Sequence, residues 1–550
     1  MSSTPEPDCT LEVRGMTCDD CARHVTGALT GAGAVRVRVD WRSGEARFSL
    51  PAGVAEEALR AAVTGAGYHP GALSRPAAVA AAEVGAADFD LLVVGSGSAA
   101  FAAAIRAGDA GLRVGLVEEG TLGGTCVNVG CVPSKALLRA ADVLWTAGHH
   151  PFAGAPTQAG APDLAAMVGQ KDQLVADLRT AKYQDLVATY GFEVIAGHGR
   201  FLDRDRLQVG ERVLGARAFL VATGASPAAP PIPGLREVGF LTSTTALQLT
   251  VPPRRLAVLG SSALGLELGQ LFLHLGSQVT FIDRAERVAP EEEPEAAGEL
   301  ARLLEEEGAR VLAPAEVVRV VSGREGPRLE VRSPAGPVEV EVDQILVATG
   351  RYPNSAQLGL DLAGVELGGR GEVVTDSRLR TANPHVYAAG DVTGGPQFVY
   401  VAAYQGQLAV GNALLGEDRP VDLLGLPRVT FTSPQLAAAG LTEAGARAAG
   451  LDVVTSLLPL EAVPRALVDR DTRGLVKLVA EAASGRLLGA TVLAEGAGDV
   501  ISAAVLAIRH GVSAAELAAT LHPYLTMGES LKLAAQAFTR DVSRLSCCAA

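Results

Sequence analysis

Six of the seven cysteines fall into three close pairs, Cys18/Cys21, Cys126/Cys131 and Cys547/Cys548, and Cys9 stands apart. Thiols grouped in this way suit two kinds of chemistry, the passing of redox equivalents and the ligation of a soft metal ion. Cys126 and Cys131 lie in Gly123-Gly124-Thr125-Cys126-Val127-Asn128-Val129-Gly130-Cys131-Val132-Pro133-Ser134-Lys135. At a helix entrance this spacing lets both sulfurs face one side, and a helix N-terminus lowers the pKa of a thiol placed there. The alternative, a structural disulfide, fits the glycine-rich flanks poorly. Cys18 and Cys21, in Met16-Thr17-Cys18-Asp19-Asp20-Cys21, place two thiolates at a loop-to-helix junction, able to grip one Cu(I), Zn(II) or Hg(II). A structural zinc site needs four ligands, and no second pair lies nearby. Adjacent cysteines such as Cys547 and Cys548 form a strained disulfide, so they rest as a dithiol that could capture a thiophilic ion.

These thiols must be held by regular elements. Leu11–Val13, Val35–Val39 and Glu45–Leu50 alternate as strands, while Cys18–Leu29 and Glu56–Val63 have helical spacing, with a short closing strand near Tyr68. That order predicts a small ferredoxin-like βαββαβ domain over residues 9–73. An alanine-rich stretch, 74–87, reads as a linker. From Phe89 an apolar strand runs into Gly95-Ser96-Gly97-Ser98-Ala99-Ala100 and a helix, and a second strand ends at Glu118. This is a dinucleotide fingerprint: the glycines let a pyrophosphate approach the helix N-terminus, and the acid meets a ribose hydroxyl. A second unit starts at Arg255 with Gly260-Ser261-Ser262-Ala263-Leu264-Gly265, in which serine replaces the middle glycine. Two units imply two dinucleotides, one resident and one exchanging. Two further strand-to-turn runs, Leu220–Gly224 and Leu346–Gly350, and then Val386–Asp391, follow the same style. Residues beyond 423 mix strands and helices as an α+β domain.

With 550 residues, 48% apolar and 20% charged, the chain is long enough for several folded domains. Its net charge of −14 argues against nucleic acid as the main partner. The polar first eight residues and the lack of a long apolar run predict neither a signal peptide nor a membrane span, hence a cytoplasmic protein with reduced thiols.

From Asp88 onward the fingerprint, the Gly123–Lys135 run, the Ala-Thr-Gly turns and Ala389-Gly390-Asp391 resemble the flavin disulfide reductases. Within them, Gly15–Cys21, Pro523–Met527 with Glu529–Phe538, and the Cys547–Cys548 tail resemble the mercuric reductases. The resemblance implies an α/β fold with two Rossmann-like dinucleotide-binding domains and an α+β dimerisation domain behind the heavy-metal-associated domain. The boundaries it implies are 88–244 and 346–422 for FAD, 245–345 for NAD(P)H, and 423–550 for the dimer interface. It further implies reduction of Hg(II) to elemental mercury with electrons from NADPH by way of FAD, in a homodimer whose tail serves the partner's site. In that scheme Cys131 lies against the flavin and Cys126 meets the substrate. Lys135 and Glu267 form an ion pair near the flavin, Tyr524 stands near the inner metal site, and His522 is a candidate acid/base. Cys18, Cys21, Cys126, Cys131, Cys547 and Cys548 carry the metal. Gly95, Gly97, Ala100, Glu118, Gly124, Thr125, Thr223, Gly224, Gly350 and Asp391, with Gly260, Gly265 and Arg284, hold the nucleotides.

Some residues depart from this pattern. His522-Pro523 resembles the acid/base motif of thiol-oxidising relatives, and Phe240 stands where the resemblance implies a second tyrosine. Asp283 would favour NADH through the ribose hydroxyls, whereas Arg284 would take the phosphate of NADPH. Two other readings stay open: a dihydrolipoamide dehydrogenase-like disulfide reductase carrying a metal-binding module, and a soft-metal chaperone or buffer.

Overall fold

The computed structural model describes residues 9–16, 18–49, 55–74 and 87–542. The chain divides into two compact units, one up to residue 86 and one from residue 87. The stretch read as a linker lies almost wholly outside the described residues, as do Cys547 and Cys548.

The first unit is a four-stranded antiparallel sheet with two helices. Its elements run β1 (Cys9–Arg14), α1 (Asp19–Gly31), β2 (Val35–Asp40), β3 (Glu45–Ser49), α2 (Glu56–Gly65) and β4 (His69–Ser74), and the spatial order is β2-β3-β1-β4. Strand alternation puts Leu11, Val13, Ala46 and Phe48 on one face, where Val25 and Leu29 of α1 and Leu59 and Val63 of α2 close over them. Each of these large side chains contributes about 1.5–3 kcal/mol by leaving water. The ferredoxin-like order expected from the periodicity is the one observed.

The second unit begins with β5 (Phe89–Val94), α3 (Ser98–Asp109) and β6 (Val114–Glu118). β5 pairs in parallel with β6 on one side and with Arg212–Val221 on the other, and Glu193–Ala196 and Val386–Ala388 extend the parallel sheet. These strands are nearly all apolar because both faces are covered, one by α3 and the helix Val399–Leu414 and the other by the strands Gly199–Phe201 and Arg206–Val209 with Leu358, Leu360 and Val365. The second nucleotide unit repeats the plan in a four-stranded parallel sheet, ordered Arg310–Leu312, Gln278–Ile282, Arg255–Leu259, Gln344–Val347. An antiparallel five-stranded sheet, from Pro427–Thr430 to Val453–Pro459, forms the α+β C-terminal part.

The redox run folds into two successive helices, α4 (Gly124–Val129) and α5 (Cys131–His149), broken at Gly130. α5 packs against the helix Ala263–His274 of the second nucleotide unit. Near the start of α5, Lys135 Nζ lies 2.5 Å from Glu267 Oε2. Toward its end, the buried His274 ring meets Asp142 through Nδ1 and Glu307 through Nε2, both at 3.2 Å, and stacks on Trp145 at 4.6 Å. The two helices are thus tied at both ends. A second tie joins the nucleotide unit to the five-stranded sheet: the buried Lys477 Nζ contacts Glu293, Glu295 and Glu443 at 2.8–2.9 Å. Among the described residues, no helix is long and apolar enough to cross a membrane.

Candidate active site

A cavity of about 850 Å³ connects the two nucleotide units with the cysteine pair. Gly97, Thr125, Cys126, Cys131, Lys135, Gly224, Gly260, Arg284, Gly350 and Asp391 line it. Behind the lining residues, Gly95 and Gly124 stand where backbone must approach backbone. Gly95 has φ +112°, and a Cβ there would meet Ala222 O at 2.4 Å; a Cβ on Gly124 would meet Gly97 Cα at 2.5 Å. In the second unit Ser262 replaces the middle glycine at no conformational cost. Its φ of −79° matches the −78° of Gly97, an extended conformation open to any residue.

Ser96 joins the first fingerprint to the redox run. Its Oγ donates to Glu118 Oε2 at 2.5 Å and accepts from Gly123 N–H at 3.1 Å. Asn128 fastens α4 from the other end, donating to Leu122 O and Gly124 O and accepting from Arg179 at 3.2 Å. These bonds fix where the two sulfurs stand.

The thiols are electrostatically unequal. Cys131 is the first residue of a 19-residue helix. A hydrogen bond from Cys126 and the nearby Lys135 ammonium bring its pKa from the usual 9 down to about 6, against the opposing effects of burial and Glu267. Cys126 moves the other way, because its proton is held by Cys131, it is desolvated, and a second negative charge beside the first is disfavoured. Hence Cys131 is the thiolate and Cys126 the thiol. With its folded pKa depressed below the unfolded value, Cys131 contributes stability above the unfolded pKa, and this is lost as pH falls through about 6. In the reduced protein, alkylation of Cys131 should rise with pH around a midpoint near 6; a midpoint near 9 would contradict the assignment of the thiolate.

Three aromatic residues that sequence spacing did not flag surround the pair. Burial and then the charges of Cys126 and Cys131 raise the pKa of Tyr183. Tyr400 is pushed up to about 12, chiefly by burial, and its hydroxyl donates to Pro427 O at 2.5 Å. Lys135 Nζ lies 4.7 Å above the Phe431 ring, and Phe431 N–H donates to Glu267 Oε1 at 3.0 Å. Tertiary packing delivers all three from distant segments, so no local motif announced them.

Other expected site residues are not brought to this cavity. His522 and Tyr524 sit on an exposed loop before the helix Glu529–Gln536, where His522 Nδ1 bonds Thr520 O at 3.1 Å and Leu525 has φ +60°. Within the single chain this loop lies outside the cavity and faces solvent, with neighbouring Leu521 93% exposed. Phe240 packs into the apolar core of the second nucleotide unit beside Leu259 and Ile282 and offers the cavity nothing.

In the first unit, Cys18 Sγ and Cys21 Sγ lie 3.3 Å apart, with Cys18 exposed at the N-cap of α1. Neither is in a disulfide. The Tyr68 hydroxyl hydrogen-bonds Cys21, which raises the Tyr68 pKa. The sequence reading used Tyr68 only to locate a strand and missed this contact.

The pyridine nucleotide-disulphide oxidoreductase family matches residues 89–406, and its dimerisation domain matches residues 426–535. The chain belongs to this family. It is similar to the mercuric reductase of Bacillus cereus, with 48% identity over 98% of this chain and 86% of the relative. It is also similar to the mercuric reductase of Streptomyces lividans, with 50% identity over 84% of this chain and 98% of the relative. Among solved structures, the Cu(II) complex of the HOCl-induced flavoprotein disulfide reductase RclA from Escherichia coli superposes with a TM-score of 0.73 at 30% identity, covering 82% of this chain and 99% of that one.

Membership implies FAD and a pyridine nucleotide, and the cavity fits them. Gly97 lines it at the N-cap of α3, and a Cβ added there would meet nothing nearer than Gly124 Cα at 4.0 Å, so the space at the helix N-terminus is open to a pyrophosphate. Arg351, on its wall, has a buried Nε without a hydrogen-bond partner, a donor suited to a polar cofactor atom.

Proposed function

We propose that this chain reduces Hg(II) to elemental mercury with electrons from NADPH, by way of FAD and the Cys126–Cys131 pair, as one half of a homodimer. The observation that carries this reading is the thiolate/thiol pair in the cavity shared by both nucleotide units. The names of the relatives direct it to mercury. FAD, when bound, supplies the two-electron chemistry that joins a nicotinamide donor to the thiol site. Gly95, Gly97, Ala100, Glu118, Gly124, Thr125, Thr223, Gly224 and Asp391 would hold it, with Lys135 and Glu267 tuning its ring. Gly260, Gly265, Gly350 and Arg284 would hold the nicotinamide nucleotide.

The chain's own residues handle the metal. Cys126 meets the Hg(II)–thiol complex first, its proton leaving with the thiolate it displaces because a coordinated thiol is deprotonated, and the Cys131 thiolate then displaces the second thiolate to become the other ligand. Ligand exchange between thiolates keeps the ion bound throughout. After two electrons reach it, mercury leaves as the neutral atom. Cys18 and Cys21 would deliver ions from outside, and Cys547 and Cys548 would serve the partner's cavity. The exposed placement of His522 and Tyr524 on the dimerisation domain suits the same role across the dimer.

Cys18→Ala should leave turnover of small mercury–thiol complexes nearly unchanged and slow it several-fold when mercury is presented on another protein, since a tethered carrier raises local concentration. Equal rates with both substrates would remove the delivery role. To test the reading against a disulfide reductase, the rates of NADPH oxidation with Hg(II)–thiol complexes and with lipoamide disulfide should be compared. Mercury should be the faster acceptor; turnover on the disulfide alone would reverse the assignment.

A further inference from the structure

The adenosine ends of the two nucleotide units follow one plan with a difference in reach. In the first, Glu118 Oε2 accepts from Ser96 Oγ at 2.5 Å and Oε1 accepts from Gly120 N–H at 2.6 Å. Asp283 occupies the matching place after the strand Gln278–Ile282. One methylene shorter, it is drawn onto its own turn. Its Oδ2 accepts from both Ser261 N–H at 2.6 Å and Ser261 Oγ at 2.8 Å, and its Oδ1 accepts from Ala285 N–H at 2.9 Å. A carboxylate offers about four lone-pair sites. Glu118 keeps two of them, enough for a ribose diol, whereas Asp283 keeps one.

An acid at this position ordinarily selects NADH, because it grips both ribose hydroxyls and repels a 2′-phosphate. Here Ser261, fully buried, points the charge inward. Beside it Arg284 is exposed on the cavity wall, and among the described residues no hydrogen bond or ion pair engages its guanidinium. Arg332, 3.1 Å from Glu316, lines the same end of the cavity.

We infer that Ser261 is a positioning residue for nicotinamide choice: by drawing the Asp283 carboxylate inward, it lets a 2′-phosphate settle beside Arg284, so that NADPH is preferred although an acid follows the strand. The single site left on Asp283 serves one ribose hydroxyl and does not discriminate between the two nucleotides. This inference rests on the NADPH part of the proposed function and is independent of mercury.

The test uses the FAD-loaded full chain without mercury, measuring NADP⁺ and NAD⁺ binding by calorimetry and flavin reduction by NADPH and NADH in rapid mixing. The unaltered protein should bind NADP⁺ more tightly. Ser261→Ala should narrow that preference about tenfold by releasing Asp283 toward the ribose, and Ser261→Thr, which keeps the hydroxyl, should retain it. Arg284→Ala should weaken NADP⁺ about tenfold or more, and weaken NAD⁺ much less. Equal weakening of both nucleotides by Ser261→Ala would mean a purely structural role and overturn the inference, as would a native preference for NAD⁺. If Ser261→Ala does not fold, Asp283→Asn decides. A change in NADP⁺ affinity under about threefold supports an inward charge, whereas a gain of about tenfold shows the charge facing the phosphate and overturns it. Because no assay contains mercury, loss of the mercury reading would leave these outcomes unaffected.

Discussion

Cys126→Ala should abolish mercury-dependent NADPH oxidation, a loss of roughly a thousandfold or more, while the protein still folds and binds FAD. The nucleotide cradle is built from backbone at Gly95, Gly97 and Gly124 and does not depend on the Cys126 sulfur. The variant removes one of two metal ligands, and it does more. The hydrogen bond from Cys126 is the largest influence lowering the pKa of Cys131, so the remaining thiol should titrate at a higher pH than in the native protein. Two readouts therefore move together, turnover and the alkylation midpoint of Cys131. Retained mercury-dependent oxidation would show that the metal is reduced elsewhere. An unchanged midpoint would show that Lys135 and the helix terminus, not Cys126, stabilise the thiolate.

Lys477→Met should destabilise the protein by about 3–5 kcal/mol, read as a lower unfolding midpoint in heat or denaturant. Burial alone would lower the Lys477 pKa, but the bonds to Glu295, Glu293 and Glu443 outweigh this and raise it, so the ammonium stays charged. Lys477 and Glu293 are 3% and 2% exposed at their side chains. Removing the cation leaves a buried carboxylate without its counter-charge, and Glu443 loses the main influence holding its pKa down. Adding Glu293→Gln to the variant should recover part of the loss, which would mark the pair as coupled. A loss under about 1 kcal/mol would place this cluster with ordinary surface ion pairs.

How far the site could be read from the chain depends on how local its parts are. The fingerprint glycines and the Gly123–Lys135 run are local, since their conformations are dictated within a few residues. Ser262 looked like a defect in the second fingerprint until its extended φ showed that no glycine was required there. The βαββαβ order of the first unit followed from strand and helix periods alone. The Lys135–Glu267 pair joins residues 132 positions apart and was expected only through resemblance. Tyr183, Tyr400, Phe431 and the Tyr68–Cys21 contact were not legible, because packing rather than spacing creates them. His522 and Tyr524 show the converse: a motif can be plain in sequence while its residues lie outside the cavity lined by their own chain. The inward turn of Asp283 also needed atomic geometry, since an aspartate after a nucleotide-unit strand reads as an NADH residue.

The central claim is that electrons taken from a nicotinamide leave this protein on mercury. The most direct test mixes the FAD-loaded full chain with NADPH, excess small-molecule thiol and Hg(II), and measures NADPH consumed against mercury released as vapour. A two-electron reduction at Cys126 and Cys131 predicts one atom of volatile mercury per NADPH, with negligible oxidation when Hg(II) is left out. NADPH oxidation indifferent to Hg(II), or consumption without volatile mercury, would contradict it.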